Sequence, residues 1–335
     1  MKRLIIVLTA LLLTFSGCSI PTNEVTPTKL TSFFLNTVSS VTIYDMDKKE
    51  AEKIISDCFA YCKSLESLFS RTIETSEISQ INNSNGNWIS VSDDTIKLIY
   101  MAKEHSMISG GYFDCTITPV SILWDFTSET PSIPSEVDLA EALSHVNWEN
   151  IEIDGNSIRL LDPKASIDLG GIAKGFIGDM AKNFLIEKGV TKSIIDLGGN
   201  IVTINPDSTD TFNIGIQEPF GLQGEYLGIL TVNNLSVVTS GIYERYFEKD
   251  GTIYHHLLDV KTGKPVDNTL SSVTIIAENS ALADALSTTC FVLGLEKGRN
   301  LIEETSGVEG IFVDKNSNMF YTSGIGTEID FQLPQ

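Results

Sequence analysis

The stretch that most constrains the fold is residues 167–190, with the sequence IDLGGIAKGFIGDMAKNFLIEKGV. It predicts the end of a short apolar strand, a tight turn at Gly170-Gly171, and a helix that ends at Gly189. The helix is indicated by apolar residues that recur with helical spacing: Ile177, Met180, Ala181, Phe184 and Leu185. The rest of the chain is organised around this strand, turn and helix.

The turn in this stretch admits two interpretations. A glycine-rich turn at a helix N-terminus favours anion binding, because free N–H groups and the helix dipole both point at it. Lys174 adds a positive charge at the same place. The alternative is a plain connection whose glycines have only a steric role. The spacing fits neither the Walker loop nor the GxGxxG pattern of dinucleotide-binding domains.

Length and charge limit the class of protein. The chain has 335 residues, which allows one large domain or two modest ones. Its formal net charge is −21, and neutralising the phosphates of a nucleic acid requires a basic surface. We therefore expect no nucleic-acid partner.

The first residues predict export. Lys2-Arg3 form a charged start, residues 4–15 form an apolar run, and Ser16-Gly17 supply the small residues of a cleavage site. Cys18 follows at once, and this arrangement resembles a bacterial lipobox, in which the cysteine is lipidated and becomes the mature N-terminus. The alternative is a soluble secreted protein in which Cys18 is incidental. The apolar run is too short for a membrane-spanning helix.

These signals divide the chain into three parts. Residues 1–17 are predicted to be a lipoprotein signal peptide, and residues 18–30 a lipidated cysteine followed by a flexible polar tether. Residues 31–335 form the functional domain. We therefore expect the mature protein outside the cytoplasm, anchored to the bacterial membrane by a lipid on Cys18.

The remaining cysteines are Cys58, Cys62, Cys115 and Cys290. No CxxC pair is present, so a zinc site is not expected. A disulfide is compatible with export, but the sequence does not give its connectivity. The favoured interpretation is that these cysteines are small buried hydrophobic residues.

Short strands and amphipathic helices are predicted along the domain from their apolar periodicity and capping residues. Hairpins are indicated by Asp154-Gly155 and by Lys249-Asp250-Gly251. The predicted helices are 50–69, 93–108, 135–146 and 280–293, and the predicted strands include 37–44, 193–201, 211–217, 226–232, 235–240 and 273–277.

The helix at 280–293 carries a candidate metal site. Asp284 and Thr288 lie one turn apart on one face, among small and apolar neighbours. A carboxylate in such an apolar run needs a partner. Carboxylate, hydroxyl and backbone carbonyl oxygens suit a hard ion such as Mg²⁺. The alternative is a salt bridge between Asp284 and a lysine or arginine from a loop.

Two further clusters admit a functional or a structural interpretation. Tyr112 and Phe113 follow Gly110-Gly111, a turn that can present their rings to a ligand, although isolated aromatic residues more often belong to the core. His255 and His256 lie on the outgoing strand of a hairpin and face opposite sides of it. At most one of the two histidines is therefore expected to reach a given site.

Several motifs in order resemble the ApbE family, the FAD:protein FMN transferases. The resemblance covers about residues 33–325 and is carried most closely by the run from Asp168 to Gly175, DLGGIAKG. The other matching pieces are Leu35-Asn36-Thr37, Ser76-Glu77-Ile78-Ser79, Phe113-Asp114-Cys115-Thr116, Leu197-Gly198-Gly199-Asn200, Ser240-Gly241 with Tyr243-Glu244-Arg245, His255-His256-Leu257-Leu258-Asp259 with Thr262-Gly263, and Ala283-Asp284-Ala285-Leu286-Ser287-Thr288.

The resemblance implies a reaction outside the cytoplasm. Family members bind FAD and Mg²⁺, transfer the FMN half to a Thr or Ser hydroxyl of a flavoprotein, and release AMP. The implied acceptor is a flavin-bearing subunit of a membrane redox complex with a Ser/Thr-Gly-Ala-Ser/Thr motif. The alternatives are an FAD pyrophosphatase that yields FMN and AMP, and an FAD-binding lipoprotein without catalysis.

The resemblance also assigns roles to residues. Asp284 and Thr288 would bind Mg²⁺ together with a backbone carbonyl near Gly171 and a contribution from Ser287. His256 would take the proton from the acceptor hydroxyl and, with Asp284, form the catalytic pair. The residues implied to contact FAD are Leu35, Thr72, Tyr112, Phe113, Asp114, Asp168, Lys174, His256 and Leu258.

The fold class expected from the elements and the resemblance is α+β. Mixed and antiparallel sheets dominate, helices pack on their faces, and the resemblance implies a two-lobed domain with FAD in the cleft. The sequence does not give the order of the strands.

Overall fold

The computed structural model describes residues 26–206, 209–222 and 224–334. The predicted signal peptide, Cys18 and most of the predicted tether lie outside these residues. The first strand begins at Thr28, so the ordered fold starts slightly before the boundary expected at residue 31. None of the helices in the described ranges is long and apolar enough to cross a membrane.

Strands and helices alternate irregularly along the described chain. The helices are α1 (Lys48–Phe69), α2 (Glu77–Asn82), α3 (Asp93–Ile108), α4 (Thr118–Trp124), α5 (Glu136–Leu143), α6 (Ala173–Glu187), α7 (Ser280–Leu293) and α8 (Leu295–Glu303), with a 3₁₀ turn at Trp148–Asn150. The strands are β1 (Thr28–Phe34), β2 (Thr37–Ile43), β3 (Ile89–Ser90), β4 (Ile151–Asp154), β5 (Ser157–Leu160), β6 (Ser193–Leu197), β7 (Asn200–Ile204), β8 (Phe212–Gln217), β9 (Tyr226–Val232), β10 (Ser236–Gly241), β11 (Tyr246–Lys249), β12 (Thr252–His255), β13 (Leu270–Ala277), β14 (Val308–Asp314), β15 (Met319–Tyr321) and β16 (Asp330–Gln332).

A central sheet of eight strands runs through the molecule in the order β1-β2-β6-β7-β10-β13-β14-β15. All of its neighbouring strands are antiparallel. The smaller sheets are β3-β5-β4, β16-β9-β8 and the separate ribbon β11-β12. The α+β class with antiparallel sheets and packed helices is therefore confirmed.

Two helices at the centre of the fold position the site. Helix α6 packs against α1 and α7, and α7 covers β10 and β13. Gly175 allows the close approach of α6 to α7, because a Cβ atom there would overlap the backbone of Ser280 and Ala281. Asp179 fixes the same contact by accepting the N–H groups of Ser280 and Ala281, both at 2.9 Å.

The strongest local signals were predicted to the residue. Ser92 and Asn279 accept N–H groups in the first turns of α3 and α7, and both helices begin and end where the sequence places them. Gly189, with φ of 84°, follows α6 in the left-handed region that glycine tolerates. The four cysteines of the domain are buried and free, as expected of small hydrophobic residues.

The strand predicted at the start of the 167–190 stretch is wrong. The structure has only an isolated bridge between Ile117 and Ser166 there. The side-chain amide of Asn82 hydrogen-bonds to both backbone groups of Ile167. Its Nδ2 donates to the carbonyl at 2.9 Å, and its Oδ1 accepts the N–H at 2.7 Å. A side chain therefore supplies the hydrogen bonds that a neighbouring strand would have made.

Candidate active site

A cavity of about 400 Å³ lies where the turn before α6, the middle of α7 and the segments around residues 112–127 and 244–258 meet. This volume is typical of a small-molecule site. Its lining includes most of the residues that the sequence predicts for the site: Tyr112, Phe113, Asp114, Asp168, Gly171, Lys174, His256, Leu258, Asp284 and Thr288.

Asp284 is buried in the wall of this cavity, with 2% of its surface exposed. Its Oδ2 accepts the N–H of Gly175 at 2.9 Å, and its Oδ1 lies 3.7 Å from Nζ of Lys174. The salt bridge considered from the sequence is therefore present, but its lysine lies in the first turn of α6 and not in a loop. A buried carboxylate with a cation nearby satisfies the requirement for a partner.

Lys174 and Glu244 share the electrostatic field of Asp284. Burial opposes the charge on Lys174, but the Asp284 and Glu244 carboxylates hold the pKa of Lys174 above its ordinary value. Desolvation raises the pKa of the Glu244 carboxyl. The negative charge of Asp284 adds to this shift, and the positive charge of Lys174 opposes it. The positive charge of Arg245 also acts on both groups. Over its whole lining, the cavity has five acidic side chains, Asp114, Asp125, Asp168, Glu244 and Asp284, and three cationic ones, Arg71, Lys174 and Arg245.

The donor set around Asp284 suits a hard cation. Thr288 lines the cavity one turn after Asp284, and a Cβ atom on Gly171 would lie 3.7 Å from Oγ1 of Thr288 and 3.0 Å from the ring of Phe113. The bare backbone of Gly171 therefore lies beside the hydroxyl of Thr288. A carboxylate, a hydroxyl and a peptide carbonyl are ligands that Mg²⁺ accepts. In the described ranges, no group of three or more His, Cys, Asp or Glu side chains is arranged to bind a metal ion.

Asp168 is held by a residue that the sequence did not reveal. Nε of Arg71 donates to Oδ2 of Asp168 at 2.7 Å, and the N–H of Gly170 donates to Oδ1 at 2.8 Å. Both side chains line the cavity. Arg71 lies two residues after the end of α1 and next to the predicted site residue Thr72. Only this position in the sequence pointed to a role for Arg71.

Asp114 lines the cavity but already has several partners. Its Oδ1 accepts the N–H and the hydroxyl of Thr116 at 2.8 and 2.6 Å, and its Oδ2 accepts the N–H of Trp148 at 3.1 Å. Burial raises the pKa of Asp114, and these hydrogen bonds oppose the shift. Asp114 therefore stabilises the loop that carries Tyr112 and Phe113 into the cavity wall.

The two adjacent histidines separate as predicted. His256 lines the cavity, while His255 contacts the carbonyl of Val266 through Nε2 at 3.2 Å and lines a different cavity. Burial lowers the pKa of His256 to about 3, and the positive charge of Arg245 contributes to this shift. Nδ1 of His256 lies 3.3 Å from the carbonyl of Arg245, which can only accept, so this contact favours the tautomer with the proton on Nδ1 and leaves Nε2 as an acceptor.

Three predicted site residues lie outside the lining of this cavity. Leu35 donates its N–H to Glu66 at 2.7 Å, and the hydroxyl of Thr72 lies 3.0 Å from that of Ser70. Ser287 is fully buried and donates to the carbonyl of Asp284 at 2.8 Å. Their roles stay predictions. Conversely, Arg71, Glu244 and Arg245 line the cavity without having been assigned a role from the sequence.

Comparison with known sequences identifies relatives over most of the chain. A model described as the ApbE family matches residues 35–312. A protein of Klebsiella pneumoniae (strain 342) named FAD:protein FMN transferase is 36% identical over 81% of this chain and 85% of its own length. A protein of Treponema pallidum (strain Nichols) with the same name is 30% identical over 87% of this chain and 85% of its own length.

Comparison with solved structures shows the same fold. The crystal structure of the ApbE protein of Thermotoga maritima superimposes with a TM-score of 0.81 at 31% identity, covering 88% of this chain and 96% of that one. The apo form of the Pseudomonas stutzeri flavinyl transferase ApbE superimposes with a TM-score of 0.76 at 27% identity, covering 89% and 95%.

Proposed function

Because this chain belongs to the ApbE family, we propose that it transfers FMN from FAD to a hydroxyl group of another protein. The relatives named FAD:protein FMN transferase support this reaction. The observation that carries the proposal is one cavity lined by Asp284, Thr288, Lys174 and the neutral imidazole of His256. In this proposal these groups would supply a metal site, a cation for phosphate and a proton acceptor.

Mg²⁺ is part of this proposal. Asp284, Thr288 and a carbonyl near Gly171 would bind the ion, and Ser287 would orient Asp284 through its hydrogen bond to the carbonyl of that residue. When bound, Mg²⁺ would neutralise negative charge on the diphosphate of FAD. The oxygen donors and the burial of Asp284 support this assignment.

The chain's own cations support the binding of a diphosphate. Lys174 stays charged in the cavity, and Arg71 is fixed there by its bond to Asp168. We infer that these cations attract the phosphates, while Tyr112, Phe113 and Leu258 contact the ring systems of FAD. The paired backbone of Gly170-Gly171 lets the ligand approach closely, because neither residue has a side chain.

His256 is proposed to accept the proton of the acceptor hydroxyl at Nε2. The hydroxyl oxygen attacks the phosphorus of the FMN half, the bond to the AMP half breaks, and AMP leaves with the bridging oxygen. Burial lowers the pKa of His256 to about 3, which makes the imidazole a weak base. The negative phosphates of FAD will raise that pKa, since opposite charges favour the protonated form.

Location and acceptor complete the proposal. The signal sequence and Cys18 support a protein anchored by lipid outside the cytoplasm, on the bacterial membrane. The acceptor is proposed to be a flavin-bearing subunit of a membrane redox complex with a Ser/Thr-Gly-Ala-Ser/Thr motif. A membrane anchor on both proteins would confine the reaction to one surface.

Mass spectrometry tests the proposed function. The chain without residues 1–18 is incubated with FAD, Mg²⁺ and an acceptor domain that carries the motif. We expect the acceptor Thr or Ser to gain one FMN, with release of AMP, and EDTA to abolish the gain. Free FMN and AMP with an unmodified acceptor would identify a pyrophosphatase, and intact FAD would identify a flavin-binding protein without catalysis.

A further inference from the structure

A second cavity, of about 810 Å³, lies along the outer edge of β12. The five consecutive residues 251–255 line it, whereas no residue of β11 does. Side chains on a strand alternate between its faces, so consecutive lining residues mean that the cavity follows the edge of the strand and not one face. We call this cavity the edge groove.

Among the described residues, no strand pairs with the edge of β12 that faces this groove, although just after β12 the N–H of Val266 donates to the carbonyl of Leu257 on the same side, at 2.9 Å. The ribbon β11-β12 forms a sheet of its own. The N–H of His256 donates to the carbonyl of Arg245 at 3.1 Å, and antiparallel pairing alternates, so the N–H and C=O groups of Ile253 and His255 point away from β11. Within the described ranges, these groups have no backbone or side-chain partner.

The lining of the edge groove combines apolar side chains with charged ones, among them the ion pairs Lys264–Glu136 and Lys315–Asp267. Ile133, Phe220 and Ile253 line it and are exposed by 40%, 47% and 38%. Tyr254 stacks on Trp124 at 5.7 Å between ring centroids. His255 is only 5% exposed, and its Nδ1 lacks a hydrogen-bond partner in the described part of the chain.

We propose that the edge groove binds an extended segment of the acceptor protein, which pairs with β12 as an added strand. The outward backbone groups of Ile253 and His255 are matched best by another backbone, and the apolar side chains in the groove beside them select side chains of the added strand. This inference rests on the proposed function. It names how the acceptor is recognised, in a place separate from the cavity assigned to FAD.

The groove lies close to the first cavity, lined by Asp284 and His256, which we call the reaction cavity. Its position suits delivery of the acceptor hydroxyl to that cavity. His255 lines the edge groove and His256 lines the reaction cavity, and consecutive Cα atoms are about 3.8 Å apart. A strand along β12 can extend to His255, where the pairing of Val266 with Leu257 stops it, and its end then lies one residue from His256. We expect the segment next to the modified Thr or Ser to be extended and to place an apolar side chain in the groove.

A matched pair of proline variants tests the added strand. Ile253→Pro removes an N–H that points into the groove and spares the bonds between β11 and β12. Glu248→Pro makes the same change at the residue opposite Ile253, on the outer edge of β11, which does not line the groove. FMN transfer is measured at saturating FAD and Mg²⁺ with increasing concentrations of the acceptor domain.

We expect Ile253→Pro to raise the KM for the acceptor by about tenfold, the effect of losing roughly one backbone hydrogen bond. Its kcat and its affinity for FAD, followed by flavin fluorescence, stay at the wild-type level, and Glu248→Pro resembles the wild type throughout. Equal KM values in both variants would overturn the inference. If the wild type itself fails to modify the acceptor, the proposed function fails and the inference falls with it.

A second pair of variants avoids changes to the ribbon. Ile133→Asp places a charge in the apolar wall of the groove, whereas Val137→Asp places one on a neighbouring residue that is 76% exposed and does not line it. We expect only Ile133→Asp to raise the KM for the acceptor. An unchanged KM in Ile133→Asp would contradict binding in the groove even if Ile253→Pro did not fold.

Discussion

The burial of Asp284 decides what the reaction cavity can bind. A carboxylate with 2% exposure is costly unless cations or donors surround it, and the structure supplies Lys174 and the N–H of Gly175. Glu244 adds a second negative charge nearby. Acidic side chains outnumber cationic ones in the cavity lining by five to three, and this excess of negative charge is the basis of the proposed Mg²⁺ site.

Replacing the carboxylate tests this site. Asp284→Asn keeps the shape of the side chain but removes its charge, and we expect FMN transfer to fall by at least about 100-fold, because a lost metal ligand removes several kcal/mol of charge stabilisation. The measurement is the transfer rate as a function of Mg²⁺ concentration. Asp57→Asn is the control, since Asp57 lies on the exposed side of α1 and does not line the cavity. Undiminished transfer by Asp284→Asn would remove the metal assignment.

The two adjacent histidines allow the proposed proton transfer to be tested separately from binding of the acceptor. His256→Gln removes the proposed proton acceptor, and we expect kcat to fall by about 10²- to 10⁴-fold, the usual contribution of a general base. His255→Gln changes the neighbouring ring, which faces the edge groove, so kcat should be retained while the KM for the acceptor rises. Single-turnover transfer measures the two constants. A normal kcat in His256→Gln would assign the proton to another acceptor.

At the scale of elements, the contact between α6 and α7 sets the distance between Lys174 and Asp284. Gly175 lies at the closest point of this contact, against the backbone of Ser280. The missing side chain at Gly175 thus allows α6 to pack closely against α7. The sequence showed this glycine within its main motif, but not the helix it touches.

Gly175→Ala tests the importance of this contact. The added methyl group overlaps the backbone of α7, and we expect a loss of about 1–3 kcal/mol in the free energy of unfolding, typical of overpacking. FMN transfer should fall as well, because the helices must separate. Urea unfolding and transfer assays measure the two effects, and Asn183→Ala, on the exposed side of α6, should be neutral. Wild-type stability in Gly175→Ala would show that the helices adjust freely.

Local signals were readable from the sequence, and distant contacts were not. Capping residues such as Ser92 and Asn279 act within a few residues, so α3 and α7 were predicted to the residue. The pair of Arg71 and Asp168 joins residues far apart in the chain, and no local pattern announces it. Asn82 satisfied the backbone of Ile167 in the same long-range way, which is why a strand was wrongly predicted there.

At the scale of the whole molecule, the order of strands escaped prediction for the same reason. Strand β10 lies between β7 and β13, and β2 pairs with β6 across much of the chain. Alternating burial identifies a strand but does not choose its neighbour. Most of the site residues expected from the family resemblance line one cavity, a grouping that periodicity alone could not indicate.

The stability of the whole molecule should depend on pH through a buried histidine. Burial lowers the pKa of His105 from 6.5 to about 4. The folded state therefore binds fewer protons than the unfolded state between these values, and stability is lost as the pH falls from 6.5 towards 4. At pH 5 the loss from this residue is about 2 kcal/mol.

Comparing the wild type with His105→Leu isolates this effect. The free energy of unfolding in urea is measured at pH 7.5 and pH 5 for both proteins. Protonation of the many carboxylates affects both alike, so the difference between the two pH dependences reports His105. We expect the variant to lose less stability than the wild type on acidification, and parallel behaviour would show that His105 is protonated in the folded state.

The aromatic cluster beside the ribbon gives the molecule an optical reporter. Trp124 is 2% exposed, stacks on Phe126 at 5.8 Å, and its neighbours Asp125 and Phe126 line the reaction cavity. The fluorescence of an indole shielded from water is blue-shifted within the near ultraviolet. A flavin bound a few residues away absorbs in that range. Titration with FAD should therefore quench the contribution of Trp124 to the tryptophan fluorescence. Binding of FAD can then be measured without a label.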